Sequence, residues 1–341
     1  MSDSVTRPAS RAAVNRSIVG AALVSLSVKD LGAQLANLRP IVGTGVEAPV
    51  ALVFDWASWW ALGQSGLPTN RLDAVAALKD YYRPLWEAVI AVDVVEPTAD
   101  LSGYGVVIAP SLYVLTAAGA ANLTTYRQAG GHLVLGAFSG VADANAHVRQ
   151  GRFPVLLRDL LGVSGEEWLP LPDGGTLVTW VGTGDVTAGS GASFAVETFA
   201  ERFRCDGAEV LASFVGGELD GLPAITKHAG AEGGAGWYVG TILPAAELAR
   251  FLKQVLAAAG VRGIVPELPV GVEVTRRGPA LFVLNHTRST VDLDLEALLN
   301  AVSPTAAAAT DLLSGTTYQL TSEATRLQLL PDDVVVLTER S

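Results

Sequence analysis

Val50-Ala51-Leu52-Val53-Phe54 is an unbroken apolar run that ends on an acid, Asp55, followed by Trp56, Trp59 and Trp60. A run this short and continuous is the pattern of a strand buried on both faces. Asp55 then stands just past the strand's carboxyl end, the edge at which open parallel sheets take ligands and partners. Further strands are expected at 92–95, 105–109 and 132–136, and helices at 71–89, 116–129 and 153–161. Thr116 supplies an N-cap and Gly130-Gly131 a C-terminal stop. Alternating strands and helices over 50–170 predict an α/β fold, with a parallel sheet, helices on both faces and right-handed crossovers.

The pattern changes after residue 171. Gly and Thr become frequent, and short strands are expected at 176–181, 193–199 and 209–215. Segments 223–226 and 237–240 read as strands returning to the sheet. Leu248, Phe251, Leu252, Val255 and Leu256 form one stripe, which predicts an amphipathic helix over 245–259, ended by Gly260. Residues 261–268, with Pro266 and then Pro269, read as a linker. Strands expected at 271–276, 280–285, 290–295, 308–313, 326–330 and 333–338 make a small antiparallel β-sandwich of about 75 residues. At the other end, 28–38 has apolar residues at helical spacing and Pro40 ends it. Arg7, Arg11 and Arg16 precede the apolar run 18–26, which is too short to span a bilayer and leads into no small-x-small cleavage site. Residues 1–27 therefore read as a disordered or remodelled N-terminus rather than a signal peptide.

Length and charge narrow the function classes. The 341 residues suffice for two domains with real cores. A net charge of −11 with no Lys/Arg block argues against nucleic acid, and no stretch argues for a membrane. Cys205 is the single cysteine, so it has no internal disulfide partner and no zinc-ligand set, and it reads as a buried, inert thiol. A reducing, cytoplasmic home fits that usage.

Candidate chemistry is sparse. Glu166-Glu167 are adjacent and on a strand would point to opposite faces, whereas a glycosidase needs two carboxylates facing one another across the scissile bond. Asp332-Asp333 fall in a turn. Gly136-Ala137-Phe138-Ser139-Gly140 follows a strand and departs from the Gly-x-Ser-x-Gly elbow, yet Ser139 with His147 and Asp143 forms an arithmetically possible nucleophilic triad. The plainer reading is a loop whose polar side chains cap one another or meet a neighbouring subunit. The four histidines (132, 147, 228, 286) lack metal-ligand spacing, so no metal is expected. No Gly-x-Gly-x-x-Gly lies between a strand and a helix, so no nucleotide cofactor is expected. Three of seven tryptophans within five residues remain: Trp56, Trp59 and Trp60 suit interface anchors or a platform for sugar rings. A core strand followed by a packed loop accounts for the same stretch without any function.

Phe-Asp-Trp-x-Ser-Trp-Trp at 54–60 resembles the opening of the trimerisation domain of family-42 glycoside hydrolases, the bacterial β-galactosidases. The family usually has Glu where this chain has Ala57. The resemblance continues in order. Its motifs include Tyr81-Tyr82-Arg83-Pro84-Leu85-Trp86, Ala109-Pro110-Ser111-Leu112-Tyr113, Gly130-Gly131-His132-Leu133-Val134, Gly236-Trp237-Tyr238-Val239-Gly240-Thr241 and Leu284-Asn285-His286-Thr287. The motifs span residues 28–341. The resemblance implies a flavodoxin- or class I glutamine amidotransferase-like domain over 46–262 and a β-sandwich over 263–341. It also implies that 28–45 is the helix and linker that close a catalytic (β/α)8 barrel. The barrel with both catalytic glutamates is not in this sequence, so the chain alone is expected to be inactive. Its expected role is assembly, as a homotrimer or together with a barrel-containing β-galactosidase. Asp55, Trp56, Trp59, Trp60 and Arg83 are then a subunit interface or a wall of a neighbour's galactoside site. A carbohydrate-binding module on the Trp cluster and a small hydrolase using Ser139 are the alternatives.

Overall fold

The computed structural model describes residues 29, 31–181, 191–321 and 325–339. The N-terminal expectation for 1–27 lies outside them. The chain divides into two compact units: 48–85 with 92–262, and residues up to 47 with 86–91 and 263 onward.

The larger unit is built on a nine-stranded sheet. Its parallel half holds β1 (Val50–Val53), β2 (Val92–Val95), β3 (Val106–Ala109), β4 (His132–Gly136) and, much later in the chain, β11 (Ala235–Val239). Strand order there is β2-β1-β3-β4-β11, all parallel. All four residues of β1 and of β3 are buried, as continuous apolar strands in a two-sided sheet must be. The sheet continues antiparallel through β10 (Pro223–Ala229), β9 (Glu209–Val215), β6 (Thr176–Trp180) and β7 (Ser193–Val196). The expected parallel sheet is therefore a mixed one. Two strands of this unit were not anticipated: β5 (Val163–Pro170) and β8 (Phe199–Cys205), which pair as a separate antiparallel ribbon.

Helices cover both faces of this sheet. Ala51, Val53, Val107, Ala109, Leu133, Leu135 and Tyr238 pack with Leu123 and Tyr126 of one helix, Ala117–Gln128. Trp237 points to the opposite face and meets Phe251 of another, Ala245–Ala258, with ring centroids 5.9 Å apart. After the helical residues 31–36, the α-helices with both ends described are, in chain order, α1 (Trp56–Leu62), α2 (Ala74–Glu87), α3 (Ala117–Gln128), α4 (Arg158–Leu161), α5 (Ala245–Ala258) and α6 (Leu295–Val302). Thr116 caps α3 as expected, accepting from the Gly119 N–H. The helix expected over 153–161 shrinks to α4. The Phe153 carbonyl accepts from the Gly165 N–H and the Phe153 ring stacks on Trp168, so contacts with β5 outweigh local helix formation.

The smaller unit holds a five-stranded antiparallel sheet, β12-β13-β18-β15-β16 (Val272–Arg277, Ala280–Asn285, Val334–Glu339, Ala308–Asp311, Thr317–Gln319). A two-stranded sheet of β14 (Val291–Asp294) and β17 (Arg326–Leu329) shares its core. Val274, Leu281, Val283, Val335 and Leu337 pack with Leu293, Leu327 and Leu329, and with Leu295, Leu298 and Leu299 of α6. The other face of the five-stranded sheet carries Ala280 and Val336, which pack with Ile41 and Leu38. Arg277 Nε donates to the Thr44 carbonyl, and Val46 bridges to Arg277. Residues 38–46 are thus built into this unit, while Leu31 and Leu35, upstream, are exposed. No helix of the described residues is long and apolar enough to cross a membrane.

Candidate functional site

The carboxyl edge of the parallel sheet is organised by Asp55. Its backbone is still extended, and its Oδ2 accepts the Ser58 N–H at 2.6 Å. That N-cap converts strand to helix at once, so α1 stands where a loop was expected. Along α1, positions 56, 59 and 60 share one face and 58, 61 and 62 the other. The inner face is anchored. Ser58 Oγ donates to the Val114 carbonyl and accepts the Val114 N–H, while Ala61 and Leu62 join Tyr113, Val114 and Phe138 in the core. The outer face is therefore held open: Trp56, Trp59 and Trp60 are 60%, 38% and 64% exposed.

The indoles brace one another. Trp56 meets Trp59 edge-on at 5.4 Å and Trp60 at 6.4 Å, and Phe54 meets Trp56 at 5.1 Å. Large, amphipathic, mutually ordered rings lose little freedom when a partner covers them, which makes such a face suited to association or to stacking on a sugar ring. Arg83 is exposed on α2, and no described bond joins it to Asp55 or the tryptophans. Because α2 runs back toward the start of β2, topology places Arg83 away from the Asp55 edge.

The loop after β4 has a different organisation. Ser139 is fully buried, and its Oγ accepts the Leu112 N–H at 2.9 Å. His147 is 80% exposed on its side chain, with Nδ1 3.9 Å from Asp143. Asp143 accepts the N–H groups of Asn145 and His147, which hold its carboxyl below the usual range and shape a turn. The structure brings Asp143 and His147 together and leaves Ser139 bonded elsewhere. Two residues of this tight turn are left-handed, Phe138 at φ 61 and Gly140 at φ 66. The Phe138 N–H is held by Glu201 Oε1 at 2.9 Å, and its ring packs on Tyr113, Trp168 and Phe199.

Glu201, on β8, is a group that motif reasoning passed over. It is fully buried, and its Oε2 accepts the Tyr238 hydroxyl at 2.6 Å. Burial pushes its carboxyl up to about 7 against the opposing pull of the two hydrogen bonds. The signal was in the alternation: Phe199, Glu201 and Phe203 share one side of a strand, so a carboxylate lies on an apolar face. The adjacent acids Glu166 and Glu167 are engaged by arginines, Glu166 by Arg152 and Arg204 and Glu167 by Arg202.

Residues 48–262 match the family model described as the β-galactosidase trimerisation domain. The chain belongs to that family. A β-galactosidase of a Geobacillus strain is 38% identical over 272 residues, covering 79% of this chain and 39% of the relative. One from Arthrobacter is 34% identical over 311 residues, covering 90% and 41%. The chain thus spans about two fifths of the length of these relatives. Among solved structures, the β-galactosidase from Bacillus circulans sp. alkalophilus superposes with a TM-score of 0.81 at 27% identity, covering 93% of this chain and 45% of that one. Gan42B, a GH42 β-galactosidase, gives 0.79 at 26%, covering 93% and 44%. Trp56, Trp59 and Trp60 therefore stand at the start of a β-galactosidase trimerisation domain.

Proposed function

We propose that this chain acts in assembly. Its trimerisation domain joins three chains, either copies of itself or a mixture with a barrel-containing β-galactosidase. The outer face of α1 is the contact surface, and it supplies the non-catalytic segment of a galactoside-hydrolysing assembly. The observation that carries the reading is the braced, exposed Trp56/Trp59/Trp60 face on a helix whose other side is anchored in the core. The family match supports it, because the domain is described by its role in trimerisation. The strand order β2-β1-β3-β4-β11 supports the finer reading of the parallel half as flavodoxin- or amidotransferase-like.

Sedimentation of a Trp56→Ala/Trp60→Ala variant tests the assignment. Losing two central anchors is expected to weaken association by about a hundredfold or more while the melting temperature holds. Unaltered association constants would remove α1 from the interface. The open indole faces also favour a second reading, a galactoside platform. Under that reading galactose shifts the tryptophan emission of the wild-type chain, and a flat titration excludes it.

A further inference from the structure

Far from the Trp face, the end of α3, α4 and the turn joining β10 to β11 enclose a cleft of about 480 Å³. Arg127, in the last turn of α3, lines it and is only 6% exposed. A buried guanidinium is normally matched by a carboxylate, since an unpaired interior charge is expensive. Here no described ion pair reaches Arg127. Among the described residues one hydrogen bond serves it, from Nη2 to the His228 carbonyl at 2.7 Å, and its Nε is buried with no partner there. Burial disfavours its cationic form. The backbone is shaped to admit the group, because a side chain at Gly230 would occupy the space of Nη1.

The surrounding walls add donors. Arg158 enters from α4, and Thr124 and Gln128 from α3. The His228 ring holds the α4 wall through its Nδ1, 3.0 Å from the Leu160 carbonyl. Asp159 is the one carboxylate among the described lining residues. Its side chain is 96% exposed, and it pairs with Arg158 at 3.5 Å, a surface contact weak enough to exchange for a better anion.

We infer that this cleft binds a small oxyanion of the phosphate class between Arg127 and Arg158. Two guanidinium groups from different walls, a hydroxyl and an amide exceed what one carboxylate can satisfy. They suit a tetrahedral anion with several acceptor oxygens. The cleft has room for an organic substituent, so a phosphate ester and free phosphate share the same anchoring chemistry. Two cationic side chains also stand out on a chain of net charge −11. The inference is independent of the assembly reading.

Calorimetric titration of the full chain with inorganic phosphate at fixed ionic strength tests it, with glucose 6-phosphate and acetate as parallel probes. Saturable phosphate binding is expected, weakened about tenfold by Arg158→Ala and abolished by Arg127→Met, with acetate much weaker. Tighter binding of glucose 6-phosphate identifies an ester as the occupant, and tighter binding of phosphate the free anion. The Arg158 side chain is 42% exposed, so its variant decides the matter even if Arg127→Met fails to fold. The inference is overturned by an absence of saturable phosphate heat, by unchanged affinity in Arg158→Ala, or by acetate binding as tightly as phosphate.

Discussion

At the scale of single residues, Glu201 carries the clearest pH dependence. Its folded carboxyl titrates near 7, above its ordinary 4.5, because burial disfavours the anion. The folded chain therefore holds a proton that the unfolded chain has already released between those values. This contribution to stability is full below about 4.5 and drains away as pH rises to about 7, a difference on the order of 3 kcal/mol. Glu201→Gln keeps an acceptor for the Phe138 N–H and cannot ionise. It is expected to flatten the difference in stability between pH 5 and pH 8 relative to wild type, as read by urea unfolding. An unchanged pH slope in the variant would mean that the buried carboxylate is stabilised by something other than Tyr238 and Phe138. The alternation around Glu201 is the local signal that could reveal it, although the strand that carries it, β8, is not among the expected ones. Phe138 has no such signal, because nothing in its type announces a left-handed backbone. The turn's Ser139 drew attention as a nucleophile, whereas its burial and its bond to Leu112 depend on a loop folded from elsewhere in the chain.

At the scale of elements, short-range signals were readable and long-range ones were not. Thr116, the stripe on α5 and the apolar runs of β1, β3 and β4 are local, and those elements appear close to their expected bounds. The α6 signal was present as well. Asp294 caps the helix by accepting from the Ala297 N–H, and Leu295, Leu298, Leu299 and Val302 repeat at helical spacing, but a strand was read straight into it. β5 and β8 escaped because each is half polar and finds its partner far along the chain, Val163 opposite Cys205 and Pro170 opposite Phe199. α1 is the element on which the proposed interface depends. Asp55→Ala removes its N-cap and is expected to cost about 1 kcal/mol of stability, measured by chemical denaturation. It should also loosen the Trp face, seen as a red-shifted emission. Full retention of both stability and emission would mean that the Ser58–Val114 clamp alone holds the helix.

For the whole molecule, the parallel half of the larger sheet followed from strand–helix alternation, and its antiparallel half did not. β11 pairs with β4 across about a hundred residues of sequence, and no local pattern encodes such a pairing. The segment 28–45, expected as the helix and linker of a barrel end, contributes Leu38, Ile41 and Thr44 to packing on the outer face of the C-terminal sheet. Among the described residues, the large apolar side chains left exposed near the sheet's carboxyl edge include Trp56, Trp59 and Trp60 of α1, and an apolar face of this kind is where association is expected. The solution mass of the pure chain, by light scattering across a tenfold dilution, tests the assembly reading most directly. The expected result is a mass close to three 35.3 kDa chains that survives dilution. A monomer at every concentration, remaining monomeric when a barrel-containing β-galactosidase is added, would contradict it.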